Sequence, residues 1–181
     1  MPDNDSFVLI IILIYVLLAL LVGLATHILH AIGLVTIARH RSLERAGLAW
    51  LPIVGISYVT GLIADHEDRQ TVGVDRSLRK WLLGLSTFLL ILQPIFFSLL
   101  FSADHFGKNP PSPTAVIVIL LMVLSGLPFT VLWFIAHNKL YKSCQPDNRI
   151  LFLVLSIVFS VTPFLVFAIR HHVNGERIRK S

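Results

Sequence analysis

This chain has a single cysteine, Cys144, two methionines, and only 14% Asp, Glu, Lys and Arg among its 181 residues. One thiol excludes an intramolecular disulfide and cannot form a thiolate metal cluster. His-Glu-x-x-His, Gly-x-Ser-x-Gly and a Walker loop are all missing, so the commonest zinc protease, hydrolase and nucleotide readings have no support. The stretch before the first apolar run carries Asp3 and Asp5 but no Lys or Arg. A cleavable secretory signal needs a basic n-region. The expectation is therefore an uncleaved anchor whose N-terminus stays outside.

What the chain does have is apolar length. It is 55% hydrophobic, with a mean hydropathy of +0.80, too apolar for a soluble domain of this size. Four uninterrupted apolar runs, 7–38, 81–102, 115–136 and 150–169, each reach the length of about 20 helical residues that crosses a hydrocarbon core. A fifth, 46–64, is broken by Pro52, Gly55 and Gly61. The class is an all-α integral membrane protein forming a single transmembrane domain with a basic tail, 170–181.

Basic residues discriminate among topologies, because Lys and Arg in short loops are retained on the cytoplasmic side. If all five runs cross, eight of the fifteen Lys and Arg lie inside. If 46–64 does not cross, ten do. If 150–169 also dips in and returns, fourteen do, and only Lys108 is left outside. The preferred architecture is three full transmembrane helices plus two re-entrant or interfacial hydrophobic hairpins. Four or five transmembrane helices remain the alternative. Turn residues suit the hairpins, since non-helical backbone at membrane depth must be satisfied by protein neighbours. Pro52 and Gly55 provide them in one hairpin, and Ser160, Thr162 and Pro163 in the other. An internal echo, Ile37-Ala38-Arg39-His40 against Ile135-Ala136-His137-Asn138, suggests a parallel repeat joined by the middle span.

The stretch Ala49-Trp50-Leu51-Pro52-Ile53, with Tyr58 and Gly61-Leu62-Ile63-Ala64, resembles a pattern in small multi-span bacterial inner-membrane proteins of uncharacterised function. So does Tyr141-Lys142, Asp147-Asn148 and the apolar run through Pro163 to Ile169-Arg170. Gly55-Ile56-Ser57 stands where an Asn-containing turn is common in that pattern. The resemblance implies an inner (plasma) membrane location and brings no catalytic residues with it.

Candidate functional residues fall into three sets. His27 and His30, at i and i+3, share a helix face as two ligands to one metal would, with His66 and His137 as further metal candidates. Counted from Phe7 at 1.5 Å per residue, His27 and His30 fall at the inner headgroup layer. Gln93 and Pro94 in the second span, and Ser125 and Pro128 in the third, read either as breaks like those in substrate paths of transporters or as kinks with close packing through small residues, and the second reading is favoured. No acidic or basic residue lies deep in any span to couple an ion. Arg170, Arg177, Arg179 and Lys180 would hold the tail on anionic lipid headgroups. The net charge of +5 follows the membrane boundary, which argues against a nucleic-acid partner.

The first run, 7–38, is too long for the core, so its lower end must project or bend, with Gly33 a candidate for the bend, and its apolar surface needs cover from the 46–64 hairpin, a second protomer or another protein. The leading functional reading is a non-enzymatic accessory, scaffold or immunity-type subunit that binds another membrane component. A homo-oligomeric transporter or channel subunit is the first alternative, and a metal- or haem-binding protein using His27 and His30 the second. Cofactors are unknown at this stage.

Overall fold

The computed structural model describes residues 4–73, 77–102, 113–173 and 176–177. Helix α1 (Asn4–His40) leads through a 3-10 turn (Ala46–Trp50) to α2 (Val54–Thr71), followed by α3 (Leu78–Ser102) and α4 (Pro113–Cys144). A second 3-10 turn (Pro146–Asn148) then opens α5 (Arg149–Phe159) and α6 (Thr162–Ala168). The described chain closes with a two-residue antiparallel pairing of β1 (His172–Val173) and β2 (Glu176–Arg177).

Three helices, α1, α3 and α4, are long and apolar enough to cross a membrane. Each is longer than its apolar run, because flanking polar residues continue the helix. Pro94 and Pro128 lie inside α3 and α4, and both helices run through them. The transporter-like breaks do not occur. A missing N–H costs a helix one internal bond, which neighbouring groups and slight bending can absorb.

The two broken runs share a plan. The first bends at Leu51–Ile53, where Ile53 takes φ 61°, and the second at Ser160, with φ 52°. The left-handed backbone of Ser160 ends α5 abruptly, and a tight turn at Ile53, closed by the Val54 N–H on the Pro52 carbonyl, sends the chain into α2. After each bend the chain returns to the end it left. Asp65 of α2 reaches the first residues of α3, and His171 beyond α6 meets His40 at the end of α1, ring centroids 6.1 Å apart. The 3-10 turn of the first hairpin packs on α1, and its second arm, α2, reaches α4. In the second hairpin, α5 packs on α4 and α6 reaches α1. Each hairpin thus leans first on the helix that precedes it and then on the other, a pseudo-twofold exchange of α1 and α4. Helix α3 packs outside this exchange, against α2 and α4.

The core sits at the end where Lys and Arg gather. Ala31, Leu34, Ile37 and Ala38 of α1 are buried with Val59 and Ile63 of α2, Leu140 and Tyr141 of α4, and Val166 and Ile169 of the last hairpin. Two glycines allow this approach. A Cβ at Gly33 would lie 2.9 Å from the Val166 backbone, and one at Gly61 would lie 2.6 Å from Arg79 Cα. Of the two expected outcomes the lower end projects rather than bends: Gly33 is a contact point within an unbroken helix, and α6, the 3-10 turn and α2 supply the cover. Arg41 ties α1 to α4 by donating from Nη2 to Ser143 Oγ at 2.6 Å. Above this base, the apolar window of α1 has no buried residue at all.

The run Asp65-His66-Glu67-Asp68, which reads as a solvated linker in sequence, is the last part of α2. Asp65 is 1% exposed and accepts the backbone N–H of Leu78 at 2.7 Å and of Arg79 at 3.2 Å, capping α3 from a different helix. Asp68, one turn on, pairs with Lys139 of α4.

Candidate functional site

Both hairpin tips converge on one cavity of about 480 Å³, where Pro52 and Ile53 face Pro163 across Gly23, His27 and His30 of α1. Phe129 and Trp133 of α4 close its far wall. The shared face of His27 and His30, inferred from their spacing, is realised: both line this cavity. Their surroundings differ. His27 Nε2 lies 3.1 Å from the Trp50 carbonyl, to which it donates, fastening the first hairpin tip to α1. His30 is 5% exposed and its Nε2 has no hydrogen-bond partner.

Below the cavity, α4 presents a ladder of rings at four-residue spacing. Phe129 stacks on Trp133 at 5.9 Å between centroids, Trp133 meets His137 at 4.3 Å, and His137 meets Tyr141 at 6.0 Å. Residues i and i+4 lie one above another on a helix face. This Phe-x3-Trp-x3-His-x3-Tyr period is visible in the sequence, and it is the signal the candidate sets passed over. Tyr141 is fully buried and shares a 2.8 Å hydrogen bond with Ser156 of α5, which locks the second hairpin to the ladder.

His30 enters the ladder from α1, 6.2 Å from the Trp133 ring and 6.1 Å from that of His137. His137 Nδ1 is 2.9 Å from the Trp133 carbonyl. A carbonyl only accepts, so that nitrogen carries the proton, and in the neutral ring Nε2 is left as a lone pair. The same carbonyl bond orients many metal-ligating histidines. His137 Nε2 is also buried and unpartnered. Two imidazoles from different helices, His30 on the cavity wall and His137 below it, thus lie side by side with unpartnered Nε2 atoms.

The remaining candidates lie elsewhere. His66 sits at the basic end, its Nε2 3.0 Å from Gln70 Nε2. Among the described residues no group of three His, Cys, Asp or Glu is placed to hold a metal ion, so a metal at His30 and His137 would need ligands other than these. Gln93, Pro94 and Pro128 lie on exposed helix faces. Ser125 is buried, with its hydroxyl donating to the Leu121 carbonyl of its own helix at 2.6 Å. None of these four residues lines the cavity between the tips. Arg170 turns back on its own hairpin: Nη1 donates to the Phe167 carbonyl at 2.6 Å, and the guanidinium carbon lies 3.6 Å from the Phe167 ring centroid. Arg177 belongs to β2, and Arg179 and Lys180 lie outside the described residues. No family model, curated protein or solved structure matches the chain, and the site is known by its own geometry alone.

Proposed function

We propose that this chain is a multi-pass protein of the bacterial inner membrane, without enzymatic activity of its own, that acts as an accessory or scaffold subunit by binding another membrane protein through α1. The carrying observation is the contrast within that helix. From Ala31 to Ala38 it is built into the core, whereas from Phe7 to Leu24 every residue is exposed. Lipid can cover such a surface at no hydrophobic cost, so packing of small residues decides whether helices associate there. Ala19 and Gly23 form such a small-x3-small pair, and nothing lies within 4 Å of where a Gly23 Cβ would be.

In this reading α1, α3 and α4 cross the membrane, and the two hairpins enter shallowly from the cytoplasmic side. Support comes from the gathering of Arg39, Arg41, Arg79, Lys80, Lys139, Lys142 and Arg170 at one end of the molecule, as the charge rule requires of a cytoplasmic face. His30 lies level with Trp133, and the tips reach Gly23, about 10 Å deeper at 1.5 Å per residue. Native mass spectrometry of the protein extracted gently from its own membrane is the test. A second protein in stoichiometric amount, lost when Ala19 and Gly23 are both replaced by Leu, is the expected result. A bare monomer would sink the reading, and a pure homo-oligomer would replace it with a transporter or channel subunit.

The metal-binding alternative has one specific observation in its favour, the unpartnered Nε2 atoms of His30 and His137. It accordingly moves from the His27–His30 pair to the His30–His137 pair. Metal analysis of the purified protein and of His137→Phe checks it: equal metal content in the two excludes the site.

A further inference from the structure

The cavity between the hairpin tips has a one-sided polar lining. Thr26, His27 and Ser57 line it, and the proton of each is already committed. Thr26 Oγ1 donates to the carbonyls of Val22 and Gly23, both at 2.9 Å, and Ser57 Oγ donates to that of Ile53 at 2.7 Å. His27 Nε2 donates to the Trp50 carbonyl, which leaves Nδ1 of the neutral ring as a lone pair. Each of these three side chains is left with acceptor capacity alone. Pro52 and Pro163, at the two tips, have no N–H to offer. On the far wall the Trp133 indole brings one N–H, and near it His30 Nε2 is buried without a partner.

A complementary ligand must therefore carry a proton to donate. Among the described residues that line the cavity there is no Asp, Glu, Lys or Arg, so an ammonium would lack a counter-charge and a phosphate would face acceptors in place of cations. A neutral hydroxyl meets neither obstacle, since it donates to an acceptor and accepts from the indole N–H. The rest of the lining is apolar, with Ile53 and Ile56 from the first hairpin and Phe129 from α4. Gly23 belongs both to the cavity wall and to the exposed stretch of α1, so the cavity runs into a surface of the kind lipid chains cover. Its level suits a lipid too. Thr26 stands about 30 Å along α1 from Phe7, at 1.5 Å per residue, where a hydrocarbon core of about 30 Å ends.

We propose that this cavity binds a neutral lipid with one free hydroxyl, of the diacylglycerol type. The hydroxyl donates to the acceptors on Thr26, His27 and Ser57, its oxygen accepts from Trp133, and the acyl chains leave past Gly23 along α1. A hydroxyl at that wall also gives His30 Nε2 the partner it lacks, as donor or acceptor according to the tautomer. The site rests on the membrane placement proposed above and goes beyond the binding of a partner protein.

The test uses the full chain in non-ionic detergent micelles, with dioleoylglycerol, its acetyl ester and dioleoylphosphatidylethanolamine as probes and native mass spectrometry as readout. The ester keeps the apolar body and loses the proton. Dioleoylglycerol should be retained about tenfold better than the ester, the value of a good hydrogen bond. Thr26→Val with Ser57→Ala should remove most of that preference. Thr130→Val with Ser86→Ala, outside the cavity, should leave it within about twofold. All four hydroxyls bond carbonyls three or four residues back in the chain, so the two pairs are matched in their effect on folding. Equal retention of dioleoylglycerol and its ester, equal effects of the two double variants, or tighter retention of the phosphatidylethanolamine would overturn the proposal. So would a dimer that takes up none of the lipids, since a second copy would then fill the cavity. A bare monomer that prefers dioleoylglycerol would sink the accessory reading and support this one.

Discussion

At the residue scale, glycines and one histidine report directly on packing and charge. Gly61 lets α2 approach α3 so closely that an added methyl would meet backbone. Backbone cannot rotate aside, so Gly61→Ala should destabilise the protein by about 1–3 kcal/mol, the usual cost of overpacking. Gly84, on α3, has nothing within 4 Å of its would-be Cβ, and Gly84→Ala should stabilise by up to about 1 kcal/mol through helix propensity. Thermal unfolding in micelles checks both, and a common sign for the two would contradict the packing argument. His66 adds a pH dependence. Its folded pKa lies below the unfolded value of 6.5, so the unfolded chain takes up the proton first and stability falls as pH drops below 6.5. His66→Gln should lose less stability than the parent between pH 7.5 and 5. The other histidines are common to both proteins and cancel in the comparison.

At the element scale, the hairpin bends carry strain that a single change can relieve. Ile53 is β-branched, holds φ 61° and is half exposed, at 48%. Its strained γ-turn backbone, with ψ −66° and the Val54 N–H bonded to the Pro52 carbonyl, costs about 1–3 kcal/mol, and it gains little from burial. Ile53→Gly should therefore stabilise the protein by about 1 kcal/mol, read as a raised unfolding temperature. A fall would mean that the Ile53 side chain contributes more at the cavity than its backbone costs. These bends also show how much of the fold was legible. Pro52 and Pro163 marked where the runs 46–64 and 150–169 would turn, and three of the four uninterrupted runs gave the three long helices. The extension of α2 through Asp65 and Asp68 was not legible. Its charges have the composition of a loop, and only the amides of α3 and the ammonium of Lys139 make them a buried helix face. The same holds at the site. His27 and His30 were recoverable from spacing, but the meeting of His30 with His137 depends on how α1 and α4 lie together, which no local period encodes.

For the whole molecule, the decisive question is which parts cross. As the only cysteine, Cys144 offers a natural label for that question. Cys144 is fully buried, however, with Arg41 Nη2 3.5 Å from its sulfur, so an impermeant reagent will not reach it in the folded protein. In a Cys144→Ala background, Glu44→Cys and Lys142→Cys, at the basic end, should label from one common side. Leu51→Cys, at the first hairpin tip, should label from neither side. Labelling of Leu51→Cys from the side opposite to Lys142→Cys would mean that 46–64 crosses, and would return the chain to a four- or five-span architecture.

The pairing of α6 with α1 also sets an order of events during synthesis. The surface of α1 around Gly33 is closed by Val166, which the ribosome adds roughly 130 residues later, a delay on the order of 10 s at usual elongation rates. For that interval the face of α1 around Gly33 lacks its cover, while the 3-10 turn and α2, made earlier, can already pack on the same helix. A nascent chain stopped before α6 should therefore remain accessible to crosslinking at Gly33 by lipids or insertion factors, and lose that accessibility when the last hairpin folds back.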